Sequence, residues 1–152
     1  MFELSRSFIA GAKIIMTSDG INNRDRCEWP HPPVTVCCAL AIEVALKALL
    51  THEDRKWSKK GNDGHNLKLL FDQLPERTRE EILLFQASYT KLPLAEAEQK
   101  LEHDSLAFVH WRYAYEHAIL TSSPAFLHDF AVALSEYIHT IVLPLRLAAK
   151  RS

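Results

Sequence analysis

Residues 34–52 form an almost continuously apolar segment, and Pro33 directly before it suits the first turn of a helix. Its central part, AIEVALKALL, carries only two charges, Glu43 and Lys47. These lie four residues apart with the acid first, the spacing that stacks a carboxylate and an ammonium on one helix face. A helix that is apolar on nearly all other sides has more apolar surface than one small bundle readily covers. This surplus of apolar surface favours a homodimer. The segment therefore predicts a central helix with a single polar stripe.

Helical patterns continue through the rest of the chain, and signals for strands are weak. The sequence has four glycines and seven prolines, and no hairpin-type dipeptide separates alternating apolar runs. Apolar spacing, caps and prolines predict further helices at about residues 2–18, 63–74, 76–89, 94–103 and from Pro124 to the C-terminus. With 47% hydrophobic residues, the 152-residue chain suits one domain, residues 1–152. We therefore predict an all-α bundle whose long C-terminal helix is kinked at Pro144.

The sequence also predicts which face of the first helix packs on the core and which residue caps a later short helix. The first helix should pack through the apolar residues that recur every three or four positions, Leu4, Phe8, Ala12 and Ile15. Asn62 or Asp63 should cap the short helix that follows the glycine-bearing loop.

The charge and the cysteine content indicate the cellular compartment and limit the classes of binding partner. Eighteen basic and nineteen acidic residues give a formal net charge of −1, so no global positive field attracts nucleic acid or anionic lipid. The cysteines, Cys27, Cys37 and Cys38, are odd in number and two are adjacent, which favours the reducing cytoplasm. No apolar run is expected to reach the roughly 18 residues of a membrane span. Cys27 and His31 supply too few donors for a metal site, and no metal or other cofactor is expected.

Residues 108–117, FVHWRYAYEH, concentrate four aromatic side chains, an arginine, an acid and two histidines. The aromatics fit no single period, so the conformation of this segment is left open. An amphipathic first helix, AIEVALKALL, a loop ending in GHNLKLLF, and WRYAYEH before a long last helix occur in that order. This order resembles the HEPN superfamily of helical nucleotide-binding domains from higher eukaryotes and prokaryotes, as a divergent bacterial-type member. The resemblance covers about residues 2–147.

The resemblance implies a HEPN-like bundle of four to five main helices that commonly dimerises. It also implies active members that cleave RNA without a metal, many of them toxin or defence components. Their signature is an arginine followed, after four to six residues, by a histidine near the start of the last long helix. Arg112 and His117 match it with four residues between them. Arg24 and Arg26 have a matching spacing to His31, but they lie far from that helix. The expected partners are a second copy of the chain, an RNA or nucleotide, and a protein partner such as an antitoxin.

Metal-free cleavage of RNA needs a proton acceptor for the ribose 2′-hydroxyl, a cation at the phosphate and a proton donor for the leaving oxygen. His117 can exchange protons near neutral pH, and the guanidinium of Arg112 can contact two phosphate oxygens. Glu43 or Glu116 can orient the histidine. We therefore predict Arg112 and His117 as catalytic residues, beside a polar groove formed by Glu43, Lys47, His65, Tyr113 and Glu116.

Structural alternatives remain open for these residues. Arg112 and Glu43 can form a buried ion pair that only fixes helix packing. The chain is then a non-catalytic module that dimerises and binds a nucleotide, RNA or protein, or a purely structural dimer. His65 can cap or pack its loop instead of lining the groove. Basic residues at positions 55–60 surround Trp57 and can contact RNA, although such a loop is more often only solvated.

Overall fold

The computed structural model describes residues 1–17, 31–57, 61–112 and 122–149. In those ranges the chain forms eight α-helices and no strand: α1 Phe2–Thr17, α2 His31–His52, α3 Leu67–Asp72, α4 Glu76–Thr90, α5 Leu94–His103, α6 Ala107–Arg112, α7 Pro124–Tyr137 and α8 Leu143–Ala149. A 3₁₀ turn, Gly61–His65, lies shortly before α3, and a π-helical segment, Ile138–Val142, joins α7 to α8. The all-α prediction is confirmed.

The central helix is α2, as its apolar sequence predicts. It packs against α1, α3, α6 and α7, and Ile42, Leu46 and Leu49 on it are completely or almost completely buried. Because other helices of the same chain cover it on several sides, a second copy is not needed to bury its apolar surface. The sequence-based reason for expecting a dimer is therefore wrong, while the dimer itself stays a prediction.

Two helical runs, Pro32–His52 and Pro124–Leu145, are long and apolar enough to cross a membrane by length and composition alone. This corrects the expectation that no run reaches that length. More than half of each window is buried inside the fold, and core helices of soluble proteins pass the same test. The cytoplasmic location stays a prediction.

The packing of α1 follows the predicted stripe except at its first residue. Phe8 and Ile15 pack against the core as predicted. Ala12 is completely buried, as expected, but Leu4 is 51% exposed. Ser5 is buried instead, and its hydroxyl donates a 2.8 Å hydrogen bond to the carbonyl of Ala41 on α2. Leu4 and Ser5 are adjacent on α1, so the spacing of apolar residues alone does not decide which of them meets the core.

The last helical run begins and continues as the prolines suggest. Pro124 lies in the first turn of α7, directly after Ser123. The run extends past Pro144, and the π-helical segment Ile138–Val142 lies immediately before α8. Pro144 has no N–H, and its ring crowds the carbonyl four residues earlier, which lies within that segment. A kink at Pro144 stays a prediction.

Candidate functional site

The polar stripe of α2 is centred on the buried carboxylate of Glu43. Only 4% of Glu43 is exposed. Lys47 Nζ lies 2.7 Å from Glu43 Oε1, and His65 Nδ1 lies 3.0 Å from Glu43 Oε2. Each carboxylate oxygen therefore has a basic partner, which offsets the removal of this charge from water. We refer to Glu43, Lys47 and His65 as the Glu43 cluster.

The 3₁₀ turn Gly61–His65 places His65 beside Glu43. Gly61 starts the turn with a φ of 53°, a left-handed conformation that a residue without Cβ adopts at little steric cost. After the turn, the N–H of Leu67 donates a 2.8 Å hydrogen bond to the carbonyl of Ser105. The turn is thus tied to the connection between α5 and α6, which fixes the position of His65 relative to both α2 and α6.

A capped helix follows His65 directly. The side chain of Asn66 accepts a 2.9 Å hydrogen bond from the N–H of Leu69, which makes Asn66 the N-cap of α3. This corrects the prediction that Asn62 or Asp63 is the cap. Those two residues lie inside the 3₁₀ turn, so they are too early in the chain to bond the first free N–H groups of α3.

Beside His65, α6 forms a second wall of the site. The rings of Phe108 and His65 have centroids 5.2 Å apart and planes inclined by 36°. α6 packs against both α2 and the 3₁₀ turn, and Arg112 is its last described residue, one helical turn after Phe108. The backbone of Arg112 is therefore part of the short helix that borders the Glu43 cluster.

The predicted site residues fall into two groups. Glu43, Lys47 and His65 are in contact, so the alternative in which His65 only packs its own loop is wrong. Arg112 lies on the adjacent helix. Three further predicted residues, Tyr113, Glu116 and His117, lie outside the described residues.

The imidazole of His65 has one bonded and one available nitrogen. An ionised carboxylate only accepts hydrogen bonds, so Nδ1 of His65 carries the proton that it shares with Glu43. In the neutral ring, Nε2 then has a lone pair and can accept a proton. The side chain of His65 is 39% exposed, so the ring reaches the surface. This arrangement can take up and release protons at the protein surface.

Sequence reasoning missed a second buried carboxylate, Asp104. Its side chain has no exposed surface, and its two oxygens lie 3.2 and 3.1 Å from the backbone N–H of Ser123, which donates to them. Nδ1 of His103 lies 3.2 Å from Asp104 Oδ1. Burial raises the pKa of Asp104, and the hydrogen bonds from Ser123 and His103 oppose that change. Asp104 therefore ties the end of α5 to the start of α7.

A third polar contact joins α4 to α7. The hydroxyl of Tyr137 donates a 2.9 Å hydrogen bond to Oε2 of Glu81, and Nε of Arg77 donates one of 2.9 Å to Oε1. The hydrogen bond from Arg77 is the main cause that lowers the pKa of Glu81. Burial, with the adjacent carboxylate, raises the pKa of Tyr137. A largely apolar surface recess of about 370 Å³ borders these residues, but no basic cluster like that at Glu43 lines it.

The basic segment at positions 55–60 is partly tied to the fold. Nη1 of Arg55 donates a 2.9 Å hydrogen bond to the carbonyl of Gln73, and Trp57 is half-buried against the core. Lys59 and Lys60 lie outside the described residues. A half-buried indole has less surface on which to stack a base, which weakens the prediction that Trp57 contacts RNA.

Within the described ranges, no group of three or more His, Cys, Asp or Glu side chains is arranged to hold a metal ion. Burial raises the pKa of Cys38 to about 12, and it also raises the pKa of Cys37. Both thiols are therefore protonated at neutral pH and are poor nucleophiles.

Comparison with models of known protein families, with curated proteins and with solved structures gives no match to this chain. Function is therefore argued from the chemistry of the Glu43 cluster and from the placement of α6 beside it.

Proposed function

We propose that this chain is a HEPN-like helical domain that targets RNA and cleaves it without a metal ion, as a toxin or defence component. The placement of α6 carries the proposal. α6, which contains Arg112, packs beside α2 and the 3₁₀ turn. Lys47 and His65 are held there by one buried carboxylate. Because Glu43 balances the charge of Lys47, the cation for a phosphodiester anion is Arg112 in this proposal, even in a chain whose net charge is −1.

The reaction uses the nucleophile that RNA itself carries. A base removes the proton of the ribose 2′-hydroxyl, and the 2′-oxygen bonds to phosphorus. The bond between phosphorus and the 5′-oxygen breaks, and an acid gives that oxygen a proton. The products are a 2′,3′-cyclic phosphate and a free 5′-hydroxyl. In this proposal His117 transfers a proton and Arg112 stabilises the charge that grows on the phosphate oxygens.

A cleavage assay in EDTA tests this function. The purified protein should cleave labelled single-stranded RNA and leave DNA of the same sequence intact, because DNA has no 2′-hydroxyl. His117→Ala should lower the rate by about 100-fold or more, as expected for loss of a general acid or base. Arg112→Lys should retain more activity than Arg112→Ala, because lysine keeps the charge but loses the planar fork of donors.

His52→Ala is the matched histidine control for this assay. His52 is exposed at the C-terminal end of α2, about two and a half helical turns from Glu43. Its loss should leave the cleavage rate and the melting temperature unchanged. A wild-type protein inert on all RNAs in EDTA would contradict the proposed function. A His117→Ala variant with the wild-type rate would contradict the site.

The complete pairing of Glu43 favours a second candidate, a non-catalytic HEPN-like module that binds RNA, a nucleotide or a protein partner. Both oxygens of Glu43 already accept hydrogen bonds inside the chain, as in polar clusters that only stabilise helix packing. This candidate predicts no cleavage by the wild type. It also predicts that Glu43→Ala lowers the free energy of unfolding by several kcal/mol while Arg112→Ala weakens RNA or nucleotide binding.

We also propose that the chain forms a homodimer, with α1 as the interface. Leu4 is 51% exposed and Ile14 is 68% exposed. Leu4, Gly11 and Ile14 follow one another at spacings of seven and three residues, as on one face of a helix, and a Cβ added at Gly11 would meet open space. Light scattering at micromolar concentration should give twice the monomer mass of 17.4 kDa. The double variant Leu4→Glu, Ile14→Glu should be monomeric, and a monomeric wild type contradicts the proposal.

A further inference from the structure

We infer that His65 is a second catalytic residue, the base that accepts the proton of the ribose 2′-hydroxyl, and that Glu43 is its positioning residue. This inference rests on the proposed ribonuclease function. It assigns a role to His65, which lies on the 3₁₀ turn, 47 positions before Arg112 in the chain. The motif formed by Arg112 and His117 does not include this residue.

The hydrogen bond to Glu43 selects the protonation state that a base needs. Nδ1 of His65 donates to Oε2 of Glu43 over 3.0 Å. The proton of the neutral ring therefore lies on Nδ1, and Nε2 keeps its lone pair. When Nε2 takes a proton, the ring becomes an imidazolium, and the carboxylate beside Nδ1 stabilises it.

The two partners differ in exposure as this role requires. The side chain of Glu43 is 5% exposed, whereas that of His65 is 39% exposed. The carboxylate is thus shielded from water and held by Lys47, while the imidazole reaches the surface. Contact with the ring of Phe108 further restricts the orientation of His65. A substrate can reach the histidine without displacing the acid.

Two other histidines in the described chain contact a carboxylate, but in a different way. His103 and His128 each lie 3.2 Å from the carboxylate of the next residue in sequence, Asp104 and Asp129. Such contacts are local to one stretch of chain. The contact between Glu43 and His65 spans 22 positions and joins two elements. The fold, rather than the local backbone, brings this pair together.

The proposed step is balanced in atoms and protons. Nε2 of His65 takes the 2′-hydroxyl proton as the 2′-oxygen bonds to phosphorus. The bond from phosphorus to the 5′-oxygen breaks, and His117 gives that oxygen its proton. Exchange of one proton from His65 to water and of one proton from water to His117 restores the starting state. Arg112 contacts the phosphate in this scheme.

Ionisable residues lie on every element around His65, and those on α3, which packs against the 3₁₀ turn, are Lys68 and Asp72. Glu43 and Lys47 lie on α2, and Asp63 lies on the 3₁₀ turn itself. His110 and Arg112 lie on α6. Any pH dependence of the cleavage rate must be compared among these groups, so the test uses variants of both His65 and Glu43.

The test compares His65→Gln, Glu43→Gln and the control His128→Gln, which alters a carboxylate-paired histidine on α7. His65→Gln should lower kcat by about 100-fold or more, change KM by less than about threefold, and abolish the acidic limb of the pH–rate profile. Glu43→Gln should lower kcat and displace that limb, whereas a purely structural loss lowers the rate equally at every pH. His128→Gln should match the wild type.

A second measurement does not depend on cleavage. Nitrogen-15 NMR of the wild-type imidazoles should show the proton of neutral His65 on Nδ1, and addition of uridine 3′-monophosphate should shift the Nε2 resonance. A proton on Nε2, or no shift with this probe, overturns the role of His65. If the wild type cleaves RNA, His117→Ala does not, and His65→Gln keeps the wild-type rate, only this inference fails. If the wild type is inert on RNA, the proposed function fails together with it.

Discussion

Glu43 and Asp104 are both buried carboxylates, but their surroundings differ. Glu43 has two basic partners, and one of them, His65, reaches the surface. Asp104 accepts hydrogen bonds from the backbone N–H of Ser123 and contacts the neighbouring His103, and burial raises its pKa. Asp104 joins two helix ends. Glu43 instead holds two basic side chains at the edge of the fold.

The comparison separates a structural carboxylate from one suited to chemistry. A backbone N–H satisfies an acid but cannot exchange protons with a substrate, whereas an imidazole can. Burial alone therefore does not identify a site, because both acids are buried. His103 beside Asp104 is also accessible, with 51% of its side chain exposed, so the accessibility of an imidazole does not make the distinction either. Glu43 differs because it also holds a lysine and because its histidine comes from a separate element of the fold.

The largest expected effect comes from removing the cation beside Glu43. Lys47→Met should lower the free energy of unfolding by about 2 to 4 kcal/mol, because a 5% exposed carboxylate then keeps only His65 as its partner. Urea denaturation at pH 7 measures the change. Lys68→Met is the matched control. Lys68 is as exposed as Lys47 and also pairs with an acid four residues away, but this acid, Asp72, is 37% exposed.

The control should cost about 0.5 kcal/mol or less, as is typical of exposed pairs at this spacing. Equal losses for Lys47→Met and Lys68→Met would mean that water reaches Glu43 freely. The description of Glu43 as a shielded acid would then be incorrect.

A smaller loss is expected at Asp104. Asp104→Ala leaves the N–H of Ser123 without its acceptor and should destabilise the fold by about 1 to 3 kcal/mol. Asp104→Asn keeps one acceptor oxygen and should be much closer to the wild type at pH 7, because it also removes a buried charge. Thermal unfolding of the two variants measures the difference. Asparagine as damaging as alanine would show that the charge itself is required.

The smallest effect concerns pH. The pKa of Asp104 is raised in the folded state, so folded protein binds this proton more tightly than the unfolded chain. Its contribution to stability is complete below the ordinary aspartate pKa of about 4 and is lost as the pH rises through the folded pKa. The wild type should therefore lose stability relative to Asp104→Asn as the pH rises over that interval. The change should be smaller than the loss of stability caused by Asp104→Ala.

At Glu81 the dependence of folding stability on pH should have the opposite sign. Its pKa is lowered, chiefly by the hydrogen bond from Arg77. Its contribution is present above the ordinary glutamate pKa of about 4.3 and is lost as the pH falls through the folded pKa. Stability curves of Glu81→Gln and Asp104→Asn, each subtracted from the wild type, should slope in opposite directions. Parallel slopes would refute the assignment at one of the two acids.

Sequence patterns predicted most of the helices and part of the site. The predicted limits of α4 and α5 agree with the observed ones to within one residue. The pair of Glu43 and Lys47 was also predictable, because residues four apart on a helix always share a face. The burial of Ser5 in place of Leu4 was not, since the two are adjacent on α1 and only the position of α2 chooses between them.

By itself, the sequence determined that the chain is helical, where most helices begin and end, and that one acid and one lysine form a stripe on α2. These properties depend on interactions within about one turn of backbone. The tertiary structure alone decided that His65 reaches Glu43 across 22 residues and that Asp104 reaches Ser123 across 19. Such contacts depend on how the helices pack and on where the intervening chain turns. The local spacing of residues determines neither of these.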